Sequence, residues 1–435
     1  MIDFLKNVYN KYTSEMMRYK VSVVRAFFRR CFVDQKIIKK QQYKNLVLEK
    51  ELKKKSRVSV AFFIVSDSEW KYGDLYRLLD QDPRFVPTVV ICPLFHKEES
   101  YRMYDVMRRT NDTFVKKKYN VLLIYDFDKQ EWFDLGKQKF DIIFWGFPYA
   151  NLTKKEYDIS NFSDSLSCYV PYFYGTVKYG WAFDLLFHNL LWLLFCESDF
   201  HKIMYSSKSR MEGKNVYVSG YPPFDSLQAR ESTPFLWKQS DPNLLKLIWA
   251  PHHTIFGDDG YSNFLKYSGE MLKIALHYNN KVQFVFRPHP LLKSKLYQID
   301  GWGKDRTNAY FKKWEEMSNT MIWEGEYWDL FKTSDAILHD SGSFMVEYLF
   351  TLKPALYFAS TNRLKGLNVV GQKAYYCHTL ANSVEDIYNF IDSLLEKKDD
   401  GLRETRKKFQ EKYLLPPNGV DATLNIYNKL KMYVQ

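Results

Sequence analysis

Short apolar runs alternate with charged stretches along most of this chain. VSVAFFIVS (58–66), FVPTVVIC (85–92), NVLLIY (120–125), FDIIFWGF (140–147) and CYVPYFY (168–174) are rich in β-branched and aromatic residues. Runs of that length and composition predict buried parallel strands. The segments between several of them, such as Tyr101 to Arg109, suit helices. A second series follows in LKLIWAP (245–251), KVQFVFRP (281–288), SDAILHD (334–340) and KPALYF (353–358). The polar, proline-containing stretch Leu227 to Asn243 separates the two series and marks a domain boundary. LLFHNLLWLLFC (185–196) reads as a buried or interfacial helix, too short to span a bilayer. Val384 to Met432 reads as mainly helical. The expected fold is α/β, with two Rossmann-like domains facing a cleft at their strands' carboxyl ends, where open parallel sheets bind ligands. The expected divisions are 1–56, 57–235 (acceptor side), 236–400 (donor side) and 401–435, the last crossing back to the first domain.

Charge changes the picture only at the start. The 435 residues carry a net charge of +12, but residues 1–57 hold 16 Lys and Arg against 5 Asp and Glu. The rest of the chain, with 47 against 46, is close to neutral. Within that basic segment Leu5, Val8, Tyr12, Met16, Tyr19, Val23 and Phe27 recur every three or four residues. This predicts a basic amphipathic helix able to lie on an anionic membrane, or else one packed on its own protein. Nucleic acid is a poor partner for the chain, since the body has no basic surplus. Five scattered cysteines form neither a CxxC pair nor a Cys/His cluster, so neither a disulfide framework nor a zinc site is expected. No signal-peptide pattern and no apolar run of about 18 residues occurs, so the expected location is cytoplasmic.

Candidate chemistry follows the strands. WAPHHT places His252 and His253 directly after one; adjacent residues on an extended segment point apart, so one of the two is expected at the site. FRPHP places Arg287 and His289 after another, where a guanidinium fork and an imidazole suit phosphate oxygens. HDSGSFMVEY ends a strand at Asp340, turns through Ser341, Gly342 and Ser343, and starts a helix whose amides and hydroxyls would seat an anion. Glu347, one turn further, would reach a ribose hydroxyl. In the first half YFYGTVKYG (Tyr174, Gly175, Thr176, Lys178) and GYPPFD (Asp225) form turns that would face the cleft from the acceptor side. No DxD-like metal motif stands in a suitable place, so neither a metal nor another cofactor is expected.

The succession YGTVK, GYPPFD, WAPHHT, RPHP and HDSGSFMVEYLFTLKP, from about Tyr172 to Phe358, resembles the CDP-glycerol glycerophosphotransferase family of teichoic acid and capsule synthesis. The resemblance implies a GT-B fold and transfer of a polyol phosphate from a CDP-activated donor to a membrane-linked glycan or polyol-phosphate acceptor, releasing CMP. It implies donor phosphates on His289 and on the Asp340, Ser341 and Ser343 group, and an enzyme peripheral on the inner face of the cell membrane. Where that family has His-Gly-Thr with a catalytic His, this sequence has Tyr174. A tyrosine with a pKa of about 10 is a poor base at neutral pH. The base is thus open among His252, His253, Asp184 and Asp225. Two other readings remain: a GT-B glycosyltransferase using a nucleotide sugar for capsule or lipooligosaccharide synthesis, and a membrane-associated scaffold without catalysis.

Overall fold

The structure, a computed structural model, describes residues 29–67, 70–94, 100–135, 138–149, 152–228, 235–255, 262–359, 361–398 and 400–434. The periodic segment Leu5 to Phe27 lies outside them. The basic region enters the structure as the helix Asp34–Leu52.

Two parallel sheets carry the fold. The first comprises β1 (Val58–Ile64), β2 (Phe85–Ile91), β3 (Val121–Leu123), β6 (Ile142–Trp145), β7 (Leu166–Tyr169), β8 (Leu193–Cys196) and β9 (Val216–Val218), in the order β3-β2-β1-β6-β7-β8-β9. A small antiparallel ribbon, β4 (Tyr125–Asp126) and β5 (Glu131–Trp132), stands apart. The second sheet comprises β10 (Leu245–Ala250), β11 (Val282–Phe286), β12 (Thr320–Ile322), β13 (Ala336–His339), β14 (Ala355–Phe358) and β15 (Thr379–Ala381), in the order β12-β11-β10-β13-β14-β15. Both orders are Rossmann-like. The chain reverses direction across the sheet between β1 and β6 and between β10 and β13, and such switch points open crevices. The central strands are buried at nearly every position, which is why they read as unbroken apolar runs rather than alternating ones. Ring stacking of Phe62 on Phe144 and of Phe144 on Phe195 fills the first core; Trp249, Phe286 and Trp314 fill the second.

One apolar run was misleading. Leu185 to Cys196 is not one helix: it divides into the helix Leu186–Leu190 and the strand β8. Periodicity cannot separate a buried strand from a buried helix when every position is apolar. The run 168–174 is also displaced, because β7 ends at Tyr169, two residues before Pro171.

Two features tie the halves together. Val177 bridges to Leu367 antiparallel, Asn368 N–H donates to the Thr176 carbonyl (2.8 Å), and Lys178 N–H donates to the Gly366 carbonyl (3.1 Å). Near the end of the chain the helix Ala422–Lys431 returns to the first core, where Ile426, Leu430 and Val434 are buried.

Candidate active site

Register brings the second sheet's loops together. Ala250 lies opposite His339 and Trp249 opposite Phe286, so the chain leaves β10, β11 and β13 at one level. His289 N–H then donates to the Pro251 carbonyl (3.1 Å), laying the RPHP loop against the HH loop. The extended geometry expected for His252 and His253 does not hold. Their ring centroids are 4.3 Å apart, and His289 lies 4.9 Å from the first and 4.0 Å from the second. All three line a cavity of ≈ 560 Å³ between the sheets, together with Thr254, Gly342, Ser343 and Arg363. Cavities of roughly 300–1,000 Å³ hold small molecules and cofactors.

The neighbours of each imidazole set its tautomer. His289 Nδ1 accepts from Leu291 N–H (3.1 Å), His252 Nδ1 from Thr254 N–H (3.3 Å), and His253 Nδ1 from the Lys295 ammonium (2.8 Å). A neutral ring whose Nδ1 accepts carries its proton on Nε2. Burial keeps the rings neutral. It pushes His252 and His289 well below the usual histidine value, aided by the neighbouring imidazoles, and His253 down to about 4, aided by Lys295. Their ring nitrogens approach within 4.8 Å, close enough for one metal ion to sit among them. An ion bound at Nε2 would have to displace those protons beside Lys295 and Arg363. An anion instead meets three imidazole N–H donors and the Arg363 guanidinium, so the donor set fits phosphate better than metal.

The other residues of the second half's motifs brace this cluster. Asp340 is buried; its two oxygens accept from His252 N–H (2.6 Å) and from Asn263 N–H, joining the HH loop to the start of the helix Phe264–His277. Burial lifts its pKa to about 7, opposed by those bonds. Both Asp340 oxygens, expected on donor phosphates, are thus engaged in shaping the loop. Gly342 and Ser343 face the cavity, with Ser341 Oγ 3.4 Å from Ser343 Oγ. The helix expected there is one turn, Phe344–Glu347, continued as 3-10 turns to Thr351. Glu347 does not reach for a ribose: fully buried, it accepts from Tyr221 (3.1 Å) and Tyr327 (2.9 Å) hydroxyls, and burial lifts its pKa to about 7. Arg287 is likewise buried under the loop. It donates to the Gly325 carbonyl (3.0 Å) and stacks over Tyr327 at 4.9 Å. It supports the wall from behind.

From the first half Gly175 and Thr176 line the cavity. Tyr174 does not. It is fully buried in an aromatic cluster with its hydroxyl on the Tyr413 carbonyl, and burial holds it well above the ordinary tyrosine value. Lys178 is exposed and contributes its backbone to the bridge between halves. Asp225 is corrected too. Its oxygens accept from Ala422 N–H (3.0 Å) and Thr423 N–H (2.7 Å), capping the returning helix; burial lifts its pKa to about 6. Asp184 binds Arg30, Arg210 and Asn189. Sequence reasoning missed Arg363, Lys295, Glu197 and His201, although Arg363 and Glu197 follow strands as the recognised residues do.

No family model and no curated protein matches the sequence. Solved structures do match the fold. A wall teichoic acid polymerase TagF variant superposes with a TM-score of 0.53 over 97% of this chain and 98% of that one, at 12% identity. A UDP-N-acetylglucosamine 2-epimerase gives 0.55 over 87% and 96%, at 14% identity. S. aureus MnaA, solved with UDP, gives 0.51 over 86% and 96%, at 13% identity. At such identities the likeness is one of architecture: the chain has the fold of these proteins, two Rossmann-like domains on either side of a cleft, of the GT-B type.

Proposed function

We propose that the cleft binds a nucleotide-linked phosphate donor and that the chain is a transferase of cell-surface polymer synthesis. It moves glycerol phosphate or ribitol phosphate from a CDP-activated donor to a lipid-linked or oligosaccharide acceptor, releasing CMP. One observation carries this reading: His252, His253 and His289 present three Nε2–H groups beside Lys295 and Arg363 at a Rossmann switch point. Phosphoryl transfer depends on positioning and on neutralising charge, and these groups supply both without reorganising. The motif succession adds the CDP-polyol donor, and a TagF variant has been soaked with CDPG.

A second reading shares the same phosphate seat. MnaA was solved with UDP on this fold, so a nucleotide-sugar donor fits equally. Incubating the purified chain with CDP-glycerol, CDP-ribitol, UDP-sugars and CMP-sugars, with mass spectrometry of nucleotide and acceptor products, separates the two. Turnover of UDP-sugars alone would overturn the CDP-polyol reading.

For the acceptor's membrane we propose contact through the basic region. The helix Asp34–Leu52 exposes Lys36, Lys39, Lys40, Tyr43, Leu46, Val47 and Lys50. Basic and apolar groups on one face suit an anionic lipid surface. No helix among the described residues is long and apolar enough to cross a membrane. Cosedimentation with phosphatidylglycerol vesicles but not with phosphatidylcholine vesicles is the expected result.

A further inference from the structure

A hydroxyl that attacks phosphorus must lose its proton, and the structure places the sequence's candidates for that task elsewhere. Asp225 caps a helix, Asp184 is held by two arginines, and Tyr174 is sealed in a core. His252, His253 and His289 carry protons on the nitrogens that would have to accept one.

We infer that Glu197 is the general base of the transfer reaction, an assignment that rests on the transferase reading above. Glu197 follows β8 directly and reaches the cavity from the wall opposite the imidazoles. Among the described residues lining the cavity it is the only carboxylate. Its Oε1 accepts from Gly175 N–H (3.0 Å), which fixes the side chain. Its Oε2 is buried and has no hydrogen-bond partner. The side chain is 2% exposed. The nearest basic atom, His201 Nδ1, is 3.9 Å away and already bonds Ser198 Oγ (2.9 Å), while His201 Nε2 bonds the Gly175 carbonyl (2.8 Å). A buried carboxylate oxygen left unmet by the protein, on a cavity wall, is built for a donor that arrives with the substrate.

The surroundings indicate the acceptor's class. Gly175 lets the backbone approach: a Cβ there would meet His201 Cδ2 at 3.2 Å and Glu197 Oε1 at 3.4 Å. Tyr149, Tyr172 and Tyr205 line the same side. Aromatic faces with polar tips suit a sugar or polyol that presents one hydroxyl to the carboxylate.

The step balances. Glu197 Oε2 takes the hydroxyl proton as the acceptor oxygen bonds to the donor's distal phosphorus. The bond from that phosphorus to the bridging oxygen breaks, and its electron pair leaves with the nucleoside monophosphate. The Nε2–H groups opposite meet the new charge. Glu197 then releases its proton to water.

The test uses the full chain with the donor panel above. Glu197→Gln keeps an oxygen for Gly175 N–H but cannot act as a base. We expect kcat to fall by about 10²–10⁴-fold, the usual contribution of general base catalysis, with donor affinity by calorimetry and the melting temperature unchanged. Glu197→Ala should regain turnover when formate is added, which a purely structural role does not allow. If Glu197→Gln binds donor and transfers at the wild-type rate, or if Glu197→Ala ignores formate, the assignment is wrong while the transferase reading stands. If wild-type protein neither binds nor turns over any donor of the panel, the reading of the cleft fails first and takes the assignment with it.

Discussion

The two walls of the cleft rest on sheets of the same architecture yet present opposite chemistry. The second sheet's wall offers three imidazoles and Arg363, with Lys295 bonded to His253. The first sheet's wall offers tyrosines, the Gly175–Thr176 backbone and the Glu197 carboxylate. Because both sheets open a crevice at a switch point, the fold supplies two similar platforms, and only the loop residues give each its own chemistry. The difference also separates residues that touch the cavity from those that hold them, and substitutions can break it at several levels.

After Glu197→Gln, the largest effect is expected from His289→Ala, in the imidazole cluster. Loss of one preorganised donor to developing charge lowers kcat by about 10²–10³-fold. The measurement is steady-state turnover, with circular dichroism showing the fold intact. Equal turnover in the variant would remove His289 from the chemistry. Asp340→Asn comes next. A side-chain amide can accept from only one of the two N–H groups that the carboxylate serves, and an unsatisfied buried donor costs about 1–3 kcal/mol. Urea titration should show that loss, and donor affinity should fall with it because the HH loop loosens.

Asp225→Ala sharpens the contrast from the other direction. It removes a cap worth about 0.5–2 kcal/mol from the returning helix and leaves turnover per folded molecule unchanged. A collapse of kcat at unchanged stability would restore Asp225 to the chemistry.

The smallest effect is a pH linkage. His253 is held at about 4, below its ordinary 6.5, so the unfolded chain binds the proton better in between. The stability it contributes is complete above about pH 6.5 and is lost as pH falls toward 4. An anion in the cleft favours the imidazolium and works against that shift. Donor binding should therefore take up protons and tighten as pH falls from 7 toward 5. Calorimetry in buffers of different ionisation enthalpy measures the uptake.

Much of the second sheet's wall was legible. Buried parallel strands announce themselves as apolar runs, and polar residues placed directly after them, such as His252, His289 and Ser343, fall at the sheet's edge by construction. Roles were less legible. Asp340, Arg287 and Glu347 belong to the same motifs, but whether such a group meets a ligand or a neighbouring N–H, carbonyl or hydroxyl depends on segments far away in sequence. Glu197 was hidden by one error of period: with Leu185 to Cys196 read as a helix, no strand end existed for it to follow.

The sequence by itself determined the two-sheet α/β plan and the residues that emerge at the second sheet's edge, because burial on both faces of a parallel sheet dictates composition locally. Only the tertiary structure decided that adjacent histidines turn toward one another, that Asp225 caps a helix 197 residues away, and that Glu197 keeps an unmet oxygen. Those outcomes depend on which hydrogen-bond partners the fold brings to each buried polar atom, and no local pattern encodes that.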